Sequence, residues 1–167
     1  SFESEIKSAF KKVKSLGLNT ITVQVRPCAD AFYKSSYFPV SKYCFGVQGS
    51  ELIYDPLAIM VKAAHNLGLR IEAWVNPYRV SQENDINALS SGNPAKKWLE
   101  DTEKSSCVYV ADKIYFNPAR SEVTELIVNG VKEIVKNYAV DGIHFDDYFY
   151  PTTNEEIDEK EYSQYQS

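Results

Sequence analysis

The sequence is poor in the residues from which metal and redox sites are built. It has three cysteines and two histidines in 167 residues, and it contains no Cys-x-x-Cys pair. This usage does not support a zinc ribbon or a thioredoxin-like site, and we predict neither a cofactor nor a metal. A disulfide between Cys28 and Cys44 is one interpretation. Three unpaired thiols, with Cys107 as the third, is the simpler one.

Long apolar runs and basic surfaces are also missing. No stretch approaches the roughly 20 apolar residues of a membrane-spanning helix, so we do not expect the chain to span a membrane. The net charge is −5, with five acidic residues and one lysine in 155–167. We therefore predict no nucleic-acid partner, because the chain has no basic face for a phosphate backbone. No signal-peptide pattern precedes the apolar stripe that begins at Phe2, so we expect the chain to start inside a longer protein.

What the sequence does contain is a pattern of helix, short turn and strand that occurs three times. Apolar residues at three- and four-residue spacing predict helices at 2–16, from Asp55-Pro56 onward and from Asn117-Pro118 onward. Apolar residues that alternate with polar ones predict strands at 19–26, 69–76 and 141–147. A short helix from Asn93-Pro94 and a hairpin at Val108–Tyr115 are expected between the second strand and the third helix. Such a repeat is typical of a parallel α/β fold.

The positions of the long loops indicate the subclass of α/β fold. The loops that follow the strands, at 27–54, 77–116 and from 151 onward, are long, whereas the helix-to-strand turns are short. This favours part of a (β/α)8 TIM barrel with about three parallel strands and their helices. A doubly wound sheet is the alternative, but no glycine-rich phosphate turn follows a strand. We expect a partial barrel domain at 1–154 and an acidic tail at 155–167 that starts a further loop or helix.

Strand alternation also predicts which side chains face the barrel interior. The aliphatic faces should lie under the helices, which places a polar face inside each strand, although a satisfied polar core is an alternative. Asp146 is the candidate catalytic carboxylate at a strand end, and a nearby Arg26 would keep it ionised by lowering its pKa. Asp147 is a second catalytic candidate or a loop carboxylate. The candidate substrate-binding residues are Gln24, Arg26, Trp74, Asn76, Tyr78, Arg79, His144, Tyr148 and Tyr150.

Many aromatic rings fall in the loops after the strands. Rings beside polar groups at a pocket mouth suit a ligand with flat apolar faces and hydroxyl edges, and sugars have this character. The alternative is that the rings only pack the loops onto the barrel.

Three stretches resemble, in order and spacing, the glycosyl-hydrolase-like family 10. They are NTITVQVRPCADAFYKSSYFPVS, YDPLAIMVKAAHNLGLRIEAWVNPYR and VDGIHFDDYFYP. The resemblance implies a (β/α)8 domain that hydrolyses an oligo- or polysaccharide, with peptidoglycan glycan strands as one substrate, in the bacterial envelope or outside the cell. DGIHFDD also resembles the fourth-strand motif of the α-amylase clan, in which the nucleophile matches Asp146 and His144 stands where that clan has an arginine.

The family pattern makes these strands the second, third and fourth of a barrel. We therefore expect a portion of a barrel that is inactive alone, lacks the acid/base carboxyl group, and forms a homodimer through its exposed sheet edges. Two other functions stay open. One is a non-catalytic carbohydrate-binding or scaffold domain. The other is a metal-dependent polysaccharide hydrolase, but deacetylases of that kind need two histidines four residues apart, and this chain has only His65 and His144. A looser metal site would use His144, Asp146 and Asp147.

Overall fold

The computed structural model describes residues 1–145 and 158–167. In chain order the helices are α1 (Phe2–Ser15), α2 (Lys42–Phe45), α3 (Pro56–His65), α4 (Pro94–Leu99), α5 (Ser121–Asn137) and α6 (Glu159–Gln166). The strands are β1 (Thr20–Arg26), β2 (Arg70–Val75), β3 (Arg79–Ser81), β4 (Val108–Val110), β5 (Ile114–Phe116) and β6 (Gly142–His144). None of the helices in these residues is long and apolar enough to cross a membrane.

The main sheet contains three parallel strands in the order β1-β2-β6. α3 lies between β1 and β2 in the chain and α5 between β2 and β6, so the predicted repeat of helix and parallel strand is confirmed. The third strand, expected at 141–147, is described as Gly142–His144, and residues 146 and 147 lie outside the described residues. α6 lies in the acidic tail, while the domain boundary at residue 154 stays a prediction.

Local sequence signals explain where the helices begin and end. Asp55 caps α3 by accepting a hydrogen bond from the Ala58 N–H at 3.0 Å, with Pro56 at the first helical position. Gly68 follows with a φ of 63°, a left-handed conformation that suits glycine. The third helix begins at Ser121 rather than at Pro118. The reason is that Asn117 Oδ1 accepts a hydrogen bond from the Ala119 N–H at 3.0 Å, which forms a separate turn first.

The core lies between the helices and the aliphatic face of the sheet. Ile71, Ala73 and Val75 of β2 are fully buried, and Leu57 of α3 and Val123 of α5 are buried in the same cluster. The predicted placement of the aliphatic strand faces under the helices is therefore confirmed. Burying each such side chain stabilises the fold by about 1.5–3 kcal/mol, so the aliphatic face of the sheet is committed to the core. The opposite face is the one available for a site.

A second, small antiparallel sheet lies in the loop after β2. Its strand order is β3-β5-β4, and β4 and β5 are the predicted hairpin. β3 adds a third strand that the sequence did not predict. The expected short helix is α4, which Asn93 caps by accepting a hydrogen bond from the Ala95 N–H at 3.0 Å. These elements give the long loop an ordered shape beyond the carboxyl end of β2.

Candidate functional site

The polar face of the main sheet carries side chains in rows, as the register of the strands requires. Gln24 pairs with Trp74, and Trp74 pairs with His144, so these three predicted site residues share one row on one face. The row before it contains Thr22, which pairs with Glu72. Because paired residues of a parallel sheet point to the same side, the predicted polar faces of the three strands are indeed one continuous surface.

Glu72 lies at the centre of this surface. Its Oε2 accepts a hydrogen bond from the Thr22 hydroxyl at 3.1 Å and lies 3.9 Å from His144 Nδ1. Gly142, the residue that pairs with Glu72, makes room for it, since a Cβ built there would be 3.2 Å from Glu72 Cγ. Trp74 packs edge-on against the His144 ring, with centroids 6.2 Å apart. The surface can therefore present a carboxylate, an imidazole and an aromatic ring to one ligand.

Strand alternation predicts that Glu72 lies on this face, but Glu72 is not among the site residues predicted from the sequence. The signal was available, because Glu72 alternates with aliphatic residues of β2 exactly as Trp74 does. What the sequence did not reveal is the register that brings Glu72 beside Thr22 and His144. At 3.9 Å the carboxylate lies beyond hydrogen-bond distance of the His144 ring, so the two groups can pair as ions only when the imidazole is protonated.

Arg26 does not lie on this surface, and the prediction that it shares the face of Gln24 is wrong. A β-bulge between Gln24 and Arg26 shifts the register, so that Arg26 pairs with Val75, whose side chain faces the core. The guanidinium is 1% exposed and lies 4.3 Å from the centroid of the Phe38 ring. Its Nη2 donates to the Pro77 carbonyl at 3.3 Å. Burial lowers the pKa of Arg26 to about 10.

Asn76, Tyr78 and Arg79 form the turn that follows β2. Asn76 is buried, and its Oδ1 accepts a hydrogen bond from the Arg79 N–H at 3.2 Å. The Tyr78 carbonyl accepts from the Phe116 N–H at 2.8 Å, which joins the turn to β5. Asn76 therefore shapes the turn through its side chain, and the predicted binding roles of these three residues stay predictions.

The remaining predicted residues lie outside the described part of the chain. These are Asp146, Asp147, Tyr148 and Tyr150, so their catalytic and binding roles stay predictions. His144 and the exposed Phe145 are the last residues described before them.

In the described residues, the cysteines, histidines and carboxylates are not arranged for thiol or metal chemistry. All three cysteines are free, as the simpler interpretation predicted. Burial raises the pKa of Cys28 to about 12 and that of Cys44 to about 11, so both thiols stay protonated and poorly nucleophilic at neutral pH. Within residues 1–145 and 158–167, no group of three or more His, Cys, Asp or Glu side chains is placed to hold a metal ion.

Comparison with known proteins identifies a family and two relatives that match most of this chain. The sequence model of the family described as Glycosyl hydrolase-like 10 matches residues 3–167. Glycosyl hydrolase YngK of Bacillus subtilis is 41% identical over 160 residues, and glycosyl hydrolase DigH of Escherichia coli K12 is 36% identical over 146 residues. The matched regions are 92% and 83% of this chain. The chain spans only 30% and 32% of the length of these two relatives.

Solved structures support the fold. An α-L-fucosidase isoenzyme 2 from Paenibacillus thiaminolyticus aligns with a TM-score of 0.61 at 18% identity, over 96% of this chain and 23% of the fucosidase. The structural neighbours include TIM-barrel fucosidases and a maltogenic α-amylase, of each of which this chain covers a fraction. The expected α/β fold, a partial (β/α)8 barrel, is therefore confirmed. At such low identity the likeness concerns the fold alone.

Proposed function

The chain belongs to the glycosyl hydrolase-like 10 family, and from this premise we propose that it forms part of an enzyme that hydrolyses glycosidic bonds in a polysaccharide. Its fold is that of a glycosidase-like domain. The single observation that carries the proposal is the continuous polar surface of Gln24, Glu72, Trp74 and His144 on the open face of the sheet. In a barrel that face is the interior, and active sites lie where it reaches the carboxyl ends of the strands.

Energetics support a functional use of this surface. A barrel interior is normally filled with branched aliphatic side chains. Polar groups in that position cost a few kcal/mol each unless they are paired. Glu72 has its partner in Thr22, and the aromatic ring of Trp74 and the imidazole of His144 are groups that can contact a sugar ring. We assign them to substrate binding.

We propose Asp146 as the catalytic carboxylate. It comes two residues after His144, and the likeness of DGIHFDD to the amylase-clan motif assigns the nucleophile to it. In a retaining mechanism its carboxylate would attack the anomeric carbon while a second carboxyl group protonates the departing oxygen. The two groups would be about 5–5.5 Å apart. Glu72 is not that second group, because it pairs with Gly142, four residues before Asp146, and lies deeper along the sheet.

The substrate and location belong to the proposal as well. We propose an oligo- or polysaccharide as the partner, with peptidoglycan glycan strands as the first substrate to test, and a place in the bacterial envelope or outside the cell. The family membership and the glycosyl hydrolase names of the two relatives support this choice.

The test is glycan cleavage by the full-length natural protein and two single variants, Asp146→Asn and Asp147→Asn. We expect Asp146→Asn to lower kcat by at least about 10³-fold, since loss of a nucleophile or general base removes several kcal/mol of transition-state stabilisation. Released reducing ends from peptidoglycan are the measurement. Asp147→Asn is the matched control, because it removes the adjacent carboxylate without changing size.

Three other results would each contradict part of this proposal. Loss of cleavage in Asp147→Asn alone would overturn the assignment of Asp146. Glycan binding without cleavage in the unmutated protein, unchanged by Asp146→Asn, would identify a carbohydrate-binding scaffold. Cleavage that is abolished by a chelator and accompanied by bound metal would identify a metal-dependent hydrolase.

A further inference from the structure

A cavity of about 180 Å³ lies beyond the carboxyl ends of β1 and β2. Its walls come from three segments: the loop after β1, the region of α2, and the chain from β3 to the following 3-10 turn. The volume corresponds to roughly six water molecules, which is room for one sugar ring. None of the residues predicted from the sequence lines it.

The buried carboxyl group of Asp30 lies in the wall of this cavity. Asp30 is 2% exposed, and its Oδ2 accepts a hydrogen bond from Gln48 Nε2 at 3.2 Å. The Gln48 amide is fixed from its other end, since its Oε1 accepts from the Ser90 N–H at 3.0 Å and from Asn93 Nδ2 at 3.2 Å. These bonds hold Asp30 in one orientation.

The second oxygen of the same carboxyl group has no donor in regular hydrogen-bond geometry, although the Ser41 hydroxyl lies near the carboxyl group. In the part of the chain that the structure describes, nothing donates a hydrogen bond to Asp30 Oδ1. A buried acceptor left without a donor costs about 1–3 kcal/mol. Burial also raises the pKa of Asp30, against the hydrogen bonds from Gln48 and Ser41 that lower it. Costs of this kind are expected mainly at functional or strained sites.

The rim of the cavity offers what the apolar face of a sugar needs. The Tyr43 side chain lines the cavity and is 61% exposed. Lys42 Nζ lies 5.7 Å from the centroid of the Tyr43 ring and 3.8 Å from Glu83 Oε1. With Asp30 and Glu83 against Lys42, the lining carries more negative than positive charge, which disfavours an anionic ligand.

We propose that this cavity is a subsite for one uncharged sugar ring. A hydroxyl of the ring donates to Asp30 Oδ1, and the ring stacks on Tyr43. The inference rests on the proposed function for the identity of the ligand as part of a glycan, and on the geometry of Asp30 and Tyr43 for its position.

The test is backbone amide NMR of the chain during titration with glucose, galactose, fucose and N-acetylglucosamine, one at a time. We expect at least one of these sugars to shift the signals of residues 29–31 and 80–82 in a saturable way. Asp30→Asn should weaken that binding at least tenfold. The new amide must turn its oxygen toward Gln48, and its NH2 group then replaces the acceptor that faces the cavity.

Controls separate binding from folding. Asp30→Asn should unfold at the same or a higher temperature than the wild type, because it removes a buried charge. Tyr43→Ala should weaken binding, while Tyr43→Phe keeps the ring and should bind like the wild type. Asp112→Asn, which changes an exposed carboxylate in the β4–β5 turn, should have no effect.

Two results would overturn the subsite: none of the four sugars shifts these amides, or Asp30→Asn binds as tightly as the wild type. Either result leaves the proposed function standing if Asp146→Asn still abolishes cleavage by the full-length protein. Conversely, sugar binding that depends on Asp30, in a protein that cleaves no glycan, would keep the subsite and refute the hydrolase.

Discussion

Asp141 joins α3 to the start of β2 and β6 through two hydrogen bonds that one of its carboxylate oxygens accepts. Its Oδ2 accepts from the Ile71 N–H at 2.9 Å and contacts His65 Nε2 at 3.0 Å. The bond to His65 is the largest cause that lowers the pKa of Asp141, followed by the bond from Ile71. This end of the sheet lies opposite the strand ends at which we place the site, so the contact serves stability rather than catalysis.

Asp141→Asn should therefore destabilise the fold by about 1 kcal/mol at pH 7. Because the folded-state pKa lies below the unfolded value, the carboxylate stabilises the fold above about pH 4. That contribution is lost as the pH falls through the folded-state pKa. Urea unfolding at pH 7 and at about pH 3 measures the change, with Asp112→Asn as the control. If the difference in free energy of unfolding between wild type and Asp141→Asn is as large at the acidic pH as at pH 7, this account is contradicted.

At the residue scale, alternation predicted most side-chain directions and failed at one position. Gln24, Trp74 and His144 lie on the expected face because regular strands keep a period of two. Arg26 does not, because the β-bulge adds a residue to β1 and reverses the parity after it. Asp30 was missed for another reason. Its sequence position marks it only as a loop residue, and its burial arises from α2 and β3 closing over it.

α5 packs against the loop after β1 at Gly130. A Cβ built on Gly130 would lie 2.8 Å from Phe38 Cε2 and 3.1 Å from Arg26 Nη1. Phe38 is buried beneath the Arg26 guanidinium and cannot move aside freely. The glycine thus allows the helix to approach the loop closely, although glycine costs a helix about 1 kcal/mol relative to alanine.

Gly130→Ala should lower the free energy of unfolding by about 1–3 kcal/mol through overpacking, despite the better helix propensity of alanine. Thermal unfolding measures the loss. Lys132→Ala, an exposed position on the same helix, is the matched control and should be close to neutral. Phe38→Leu combined with Gly130→Ala should recover part of the loss. If Gly130→Ala alone is as stable as the wild type, the close approach does not limit this helix.

At the element scale, the sequence predicted the repeating helices and parallel strands but not α2, β3 or how the loops fold back. Periodicity was sufficient for α1, α3, α5 and the three parallel strands, because each has one apolar face. The loop after β1 is held by distant contacts that no local pattern contains. Glu133 of α5 accepts hydrogen bonds from the Ser35 hydroxyl at 2.5 Å and from the Ser36 N–H at 2.6 Å.

The main sheet has two open edges in the described residues. β2 pairs on both sides, whereas β1 and β6 each pair with β2 alone in the part of the chain that the structure describes. A barrel of this type closes eight strands and has no edge. Unpaired edges attract other strands, and soluble proteins avoid this by charge, by covering or by association. β1 carries no charged residue before Arg26.

We therefore predict that the 167-residue chain on its own self-associates through β1. Light scattering after size exclusion should give a mass that rises with concentration from 19.0 kDa toward the dimer value. Thr22→Lys should keep the chain monomeric, because Thr22 is exposed on the edge strand and the added ammonium groups of two chains would repel each other across a shared β1 edge. Thr124→Lys adds the same charge on the exposed side of α5 and should dimerise like the wild type. A wild-type chain that stays at 19.0 kDa at every concentration, or two lysine variants that behave alike, would show that the β1 edge is not the interface.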